Sequence, residues 1–278
     1  MLPLFRKQLC MVLCPDRVIL FGLGEGPKRK VILQTILPCQ AVEGTSSWEP
    51  ALAVFEQWLA SHEMGRAEVT VMLSNQFVRF TVMPDSSKIN GQAEAQTLAH
   101  ILFEGIYGSL ASQWHFQVEA GKYGESRLVA AMDTKLLTRL TDMLGATTLR
   151  LWRITPYLVA AFNRFYKQLP YTGSLFVVIE SGVMVIAGLQ DSQLMMVNRV
   201  PFDEETAEPL TQILQREALT SGLDLPSIPV CIHRVGRPDF KLPVADELVF
   251  HSLQEADKSG ARFLGNAAFE MVSAWEYA

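Results

Sequence analysis

One order of predicted elements occurs twice along the chain. Each copy opens with three short apolar segments separated by turn residues, a pattern typical of a three-strand antiparallel meander. In the first copy these segments are 9–14, 17–23 and 30–37, and in the second copy they are 174–180, 183–189 and 193–202. A helical pattern and a further strand follow each meander, and the second copy begins about 165 residues after the first. The repeat predicts an α/β fold of two related lobes, each with a mixed sheet of a meander plus parallel strands, flanked by helices.

Strands and helices alternate between and after the two meanders. Helical spacing and end signals predict helices over 48–59, 92–107, 134–144, 155–169, 203–222 and 261–275, and strands over 68–83 with a break at Ser74–Asn75, 114–118, 127–132, 148–154 and 230–235. Ser46 and Glu49 have the spacing of a capping box, Asp133 or Thr134 is predicted to cap the helix that follows it, and Asp203 is a predicted cap. Thr155–Pro156 is predicted to open a helix. We place the first lobe at 1–169, with an inserted subdomain around 90–150, and the second at 170–278.

Composition limits the class of protein. Hydrophobic residues make up 49% of the chain and charged residues 19%, which is typical of a packed core. The net charge of −5 argues against nucleic-acid binding, since binders of that class neutralise phosphates with a basic face. No apolar run is long enough to cross a membrane, and the N-terminal segment has no signal-peptide pattern. With four cysteines, these features predict a cytoplasmic protein that does not itself insert into a membrane.

Several kinds of chemistry lack support in the sequence. Gly22, Gly24 and Gly26 precede a predicted strand, whereas a dinucleotide fingerprint must precede a helix. The five histidines lie apart without a cysteine or histidine partner at ligand spacing, so no metal site is predicted. No phosphate-binding P-loop and no nucleophile elbow is present. We therefore predict no catalytic residues.

A family resemblance emerges from particular segments. These are VTVMLSNQFVRFTVMP at 69–84, FEGIYG at 103–108, Trp114 at a strand start and RITPYLVAAFNRF at 153–165. With the repeated element order, they resemble type IV pilus assembly proteins of the PilM type and the cytoplasmic domains of GspL-type secretion proteins. Both belong to the actin-like, ribonuclease-H-like superfamily. The resemblance implies actin-like lobes and extends over nearly the whole chain.

The resemblance also implies where ATP and Mg²⁺ would bind. The family holds phosphate at two glycine-rich hairpin turns, each after an acidic residue. The first turn, 13–17, has no glycine and offers Asp16 as its acid, while Pro15 removes a donor. The second retains Glu180, Ser181 and Gly182. The loop with Gly260 and Gly265 is similar to the family's adenosine loop, and these six residues would form the site if ATP binds.

The resemblance implies a non-catalytic scaffold or adaptor of a type IV pilus or type II secretion platform. Such a protein would bind a segment of a membrane-anchored partner, in a groove of the first lobe, and would be peripheral at the inner membrane through that partner. The alternative is an ATP-binding actin-like protein with weak or no ATPase activity. Pilus versus secretion, the partner's identity and the oligomeric state stay open at this point.

Overall fold

The computed structural model describes residues 6–26, 30–84, 89, 91–120, 125–191, 193–203, 209–223, 227–237, 240–242, 248–253 and 269–278. The strands are β1 (Lys7–Leu13), β2 (Arg17–Leu23), β3 (Val31–Pro38), β4 (Ala67–Leu73), β5 (Val78–Met83), β6 (Trp114–Val118), β7 (Arg127–Asp133), β8 (Leu149–Pro156), β9 (Gly173–Glu180), β10 (Gly182–Gln190), β11 (Gln193–Phe202), β12 (Val230–Arg234) and β13 (Phe250–Ser252). The helices are α1 (Glu49–Ser61), α2 (Gln92–Tyr107), α3 (Thr134–Gly145), α4 (Tyr157–Phe165), α5 (Leu210–Thr220) and α6 (Glu270–Ser273).

The first large sheet has the strand order β3-β2-β1-β4-β8. The meander β1, β2 and β3 is antiparallel, and β4 and β8 continue the sheet parallel to β1. Central strands β1 and β4 are almost entirely buried, as expected for parallel strands covered on both faces. The helix α1 joins β3 to β4, but β4 pairs with β1 and not with β3. The predicted meander and parallel strand are therefore confirmed.

The second large sheet repeats this order as β11-β10-β9-β12-β13. Strands β9, β10 and β11 are antiparallel, while β12 and β13 run parallel to β9. All eight residues of β9 are buried, so this strand lies at the centre of its sheet. One face packs against α5 through Leu210, Ile213 and Leu214. The predicted repeat of element order is confirmed.

A smaller sheet of order β5-β7-β6 carries α2 on one face. Its core centres on Phe103, whose ring lies 5.1 Å from that of Phe116 and 6.0 Å from that of Trp114. The Ser126 hydroxyl donates to the carbonyl of Leu194 on β11 at 2.6 Å. The small sheet is thereby joined to the second large sheet by a hydrogen bond.

Contacts among the described residues divide the chain into two units. The first unit comprises the described residues of 6–78, 133–163 and 269–278. The second comprises the described residues of 79–132 and 164–253. The predicted division at 169 and 170, with an insertion around 90–150, stays a prediction. Within the described part of the chain, no helix is long and apolar enough to span a membrane.

Several predicted element ends were wrong, mostly at helix caps. The N-cap residue of α1 is Trp48, whose side chain makes no capping hydrogen bond. The Ser46 N–H donates to the Glu49 carboxylate at a long 3.4 Å. Strand β8 continues through Pro156, and α5 begins at Leu210, well after Asp203.

The chain's last elements also differ from the prediction. The predicted final helix reaches only Glu270–Ser273 within the described residues, and 261–268 lie outside them. The strand β13 was not predicted, because its three residues, two of them polar, carry no strand pattern.

Candidate functional site

The first candidate site is the turn between β1 and β2. The Cys14 N–H donates to the carbonyl of Arg17 at 3.0 Å and closes the hairpin. Pro15 has no N–H to donate. Of the turn residues 14–16, Asp16 alone contributes an N–H that the hairpin does not use. Phosphate needs several converging N–H groups, so this turn does not fit the cradle that the resemblance implies.

Neighbouring segments occupy the surroundings of this first turn. The Cys39 N–H donates to the carbonyl of Asp16 at 2.8 Å, and the Cys39 thiol donates to that of Pro15 at 3.4 Å. Burial, followed by the Asp16 carboxylate, raises the pKa of the Cys39 thiol, so it stays protonated. The buried Cys14 sulfur lies 3.7 Å from that of Met271. The turn is thus closed by sulfur contacts and by hydrogen bonds to its own carbonyls.

The acid of the first turn lies at the surface. The Asp16 carboxylate is 57% exposed and pairs with the Arg17 guanidinium at 2.6 Å. Exposed pairs of this kind contribute little to stability. Asp16 therefore remains accessible, with one cation already beside it.

The second candidate site is the turn between β9 and β10. Glu180 pairs with Val183, so Ser181 and Gly182 form a two-residue hairpin turn. Gly182 has φ of +78°, which favours glycine at this position. Both turn residues are exposed, whereas Glu180 is only 5% exposed. The structure therefore brings the predicted Glu180, Ser181 and Gly182 together at one hairpin.

Glu180 faces a neighbour that sequence analysis did not identify. Across β10, Val183 pairs with Pro201 on β11, and Arg199 is two residues before Pro201. Because strand side chains alternate with a period of two, Glu180 and Arg199 lie on the same face of the sheet. A guanidinium thus accompanies the buried acid.

Two side chains from the small sheet and its helix complete this polar cluster. Burial and the nearby Arg79 guanidinium of β5 lower the pKa of Arg199, while Tyr107 of α2 and Glu180 oppose that shift. The negative charge of Glu180 therefore acts on the Arg199 guanidinium of the protein itself. Such a carboxylate can stabilise the local fold without a metal ion. We call Glu180, Arg199, Arg79 and Tyr107 the Glu180 cluster.

The remaining predicted site residues are not placed by the structure. Gly260 and Gly265 lie outside the described residues. Among the residues that are described, no group of three or more His, Cys, Asp or Glu side chains is arranged to hold a metal ion. The two turns are therefore the parts of the implied nucleotide site whose geometry is defined.

Comparisons with solved structures identify the fold. The cytoplasmic domain of EpsL, an inner-membrane component of the Vibrio cholerae type II secretion system, matches with a TM-score of 0.58 at 13% identity, covering 98% of this chain and 95% of that one. A Bacteroides thetaiotaomicron protein with an actin-like ATPase fold and unknown function matches with 0.57 at 12% identity, over 91% and 94%. A chain of the PilM–PilN type IV pilus biogenesis complex matches with 0.56 at 14% identity, over 83% and 82%.

Sequence comparison adds no closer relative. No family model matches the chain, and no curated protein matches its sequence. The structural likenesses therefore establish the fold. The predicted actin-like fold and the predicted resemblance to PilM and to a type II secretion cytoplasmic domain are confirmed.

Proposed function

We propose that this chain is a non-catalytic component of an inner-membrane assembly platform of type IV pilus or type II secretion type, where it binds a segment of a membrane-anchored partner. One observation carries the proposal. The first turn, which holds phosphate in ATP-binding relatives of this fold, has one donor missing at Pro15 and a second used at Cys14. A fold with that turn closed is better suited to binding proteins than to hydrolysing ATP.

The extent of the structural likeness supports the same proposal. The match to the cytoplasmic domain of EpsL covers nearly all of both chains, so no large catalytic insertion distinguishes them. One of the similar solved structures is a chain of the PilM–PilN type IV pilus biogenesis complex. Proteins of this fold therefore do bind other proteins.

Co-purification tests the proposal directly. The full chain, carrying an affinity tag, would be co-expressed with each inner-membrane protein encoded by the neighbouring genes and recovered from detergent extracts. We expect one membrane-anchored pilus or secretion protein to be recovered with it, and the recovery to persist in buffer free of nucleotide. An unrelated single-span membrane protein serves as the control. If every candidate behaves like the control, the proposed function is wrong.

A second candidate function, ATP binding with weak or no hydrolysis, draws on the second turn. Gly182, with φ of +78°, leaves the backbone accessible there, and Glu180 provides an acid. Asp16 provides an accessible acid at the first turn. Mg-ATP binding would have to rely on these groups and on the loop that contains Gly260 and Gly265.

A thermal-shift measurement separates the two candidates. A ligand at a hundredfold excess over its Kd stabilises a protein by about 2.7 kcal/mol. At about 2 °C per kcal/mol for a chain of this size, that is about 5 °C in Tm. Under the proposed function we expect no change in Tm with millimolar Mg-ATP, measured beside an actin-like ATPase as a positive control. A reproducible rise of several degrees would favour the second candidate.

A further inference from the structure

An exposed tryptophan lies on an irregular edge strand of the first large sheet. Val69 pairs with Leu151 and Thr70 with Arg153, so Trp152 has no partner on β4 and forms a β-bulge in β8. Its side chain is 55% exposed. Bulges at sheet edges redirect side chains, and this one presents a large aromatic group to solvent. Among the described residues, no strand pairs with the outer edge of β8.

Cationic side chains surround this tryptophan on β8 itself. The Arg150 guanidinium lies 5.6 Å from the centre of the Trp152 ring, within the range of a cation–π contact. The Arg150 side chain is 62% exposed, and Arg153 is exposed as well. Tryptophan and arginine are the side chains most enriched at the energetic centres of protein interfaces.

The end of the sheet at which β8 begins carries further basic residues. Lys7 pairs with Ala67, which pairs with Leu149, so the parallel strands β1, β4 and β8 begin side by side. Arg6 and Arg66, which immediately precede β1 and β4, are exposed at this end.

Acidic groups compensate these cations only in part. The Glu68 carboxylate lies 2.9 Å from the Arg6 guanidinium and 3.8 Å from that of Arg150. Glu63 lies in the loop before β4, and no described acid forms an ion pair with Arg66 or Arg153. The surface is therefore locally basic in a chain whose net charge is −5.

We infer that this surface, formed by Arg6, Arg66, Arg150, Trp152 and Arg153 and called the Trp152 surface below, docks an acidic, extended segment of a partner protein. The inference rests on the proposed function, because it specifies where and how the partner segment binds. The edge of β8 offers backbone groups for pairing with a strand. Trp152 provides an apolar anchor, and the arginines favour glutamate or aspartate in the segment. A membrane surface would use the same charges but not the strand edge.

Peptide binding by the intact chain tests this inference. The probes are overlapping synthetic peptides that cover the cytoplasmic segments of the inner-membrane proteins encoded by the neighbouring genes, with vesicles rich in anionic lipid measured in parallel. We expect the bound peptides to carry net negative charge and to bind more weakly as salt increases. Trp152→Ala should weaken binding by about 30-fold, and Arg153→Glu by at least tenfold.

Two matched variants control for general effects on the surface. Tyr171→Ala removes another exposed aromatic side chain, 74% exposed, and Arg139→Glu reverses a charge that is 54% exposed on α3. Both should bind the peptides as the unmodified chain does. Circular dichroism of each variant establishes that it is folded.

The possible outcomes separate this inference from the proposed function. If peptides bind but Trp152→Ala and Arg153→Glu leave binding unchanged, the Trp152 surface is not the docking site, although the proposed function stands. If no peptide binds and no platform protein co-purifies, both are wrong. Binding to anionic vesicles alone, lost in Trp152→Ala, would overturn the inference in favour of a membrane contact.

Discussion

Lowering the pH from 7.0 to 4.5 is expected to reduce the free energy of unfolding by about 2.5 kcal/mol through a single histidine. His233 lies on β12 inside the second large sheet and is 1% exposed, with the Phe165 ring 4.7 Å away. Burial first, and then the Arg164 guanidinium, lower its pKa from 6.5 to about 3, with Arg234 acting in the same direction. The folded protein therefore keeps this imidazole neutral.

The direction of this pH effect follows from the difference in protonation of His233 between the folded and unfolded chain. In the unfolded chain His233 takes up a proton below pH 6.5, whereas in the folded protein it does so only near pH 3. The stability linked to this histidine is thus complete above pH 6.5 and is lost as the pH falls toward 3. The loss amounts to about 1.4 kcal/mol per pH unit within that window.

Urea unfolding at several pH values measures this effect. The variant His233→Gln cannot titrate, although its amide keeps a donor for the backbone of Leu253. Between pH 7.0 and 4.5 its free energy of unfolding should therefore fall by about 2.5 kcal/mol less than that of the unmodified chain. His115→Gln, at an exposed position of β6, is the matched control and should keep the full slope. If the free energy of unfolding depends on pH equally in His233→Gln and in the unmodified chain, His233 does not cause the loss of stability at low pH.

Most of the fold could be predicted because its signals are local. The turn residues Pro15–Asp16 and Ser181–Gly182 separate apolar segments that are long enough to identify as strands, and both became hairpin turns. The break at Ser74–Asn75 was also predicted, but the sequence does not indicate that β4 and β5, on either side of it, join different sheets. Pairing depends on contacts far apart in the chain, which a local pattern does not specify.

The candidate sites show the same limit more clearly. The positions of Asp16 and Glu180 could be predicted as turn acids, but their neighbours could not. Met271 reaches Cys14 from 257 residues away. Arg199 lies three residues before the end of an ordinary strand pattern, and its proximity to Glu180 follows only from the register of three strands. The sequence thus indicates which residues are chemically suited to a site, while the fold decides what they face.

The Glu180 cluster provides the test of whether the second turn serves a metal ion or the fold. We expect Glu180→Ala to lower the free energy of unfolding by about 1 to 2 kcal/mol, since it removes a buried carboxylate that favours the charge of the half-buried Arg199 guanidinium. Replacing both charges, as in Glu180→Gln combined with Arg199→Met, should recover part of this loss, because the double variant no longer holds a half-buried guanidinium without the Glu180 carboxylate. Chemical denaturation of Glu180→Gln, Arg199→Met and the double variant gives the coupling energy.

The same variants distinguish the structural role from a nucleotide role when they are measured with and without Mg-ATP. If Glu180 organises Mg²⁺, its replacement would remove a ligand-induced rise in Tm that the unmodified chain shows. If it stabilises the fold by facing Arg199, stability falls equally with and without nucleotide. Asp16→Asn, at the 57% exposed acid of the first turn, is the control and should change stability by no more than about 0.5 kcal/mol. Because the Glu180 carboxylate already acts on the Arg199 guanidinium of the protein itself, we expect the nucleotide-independent result.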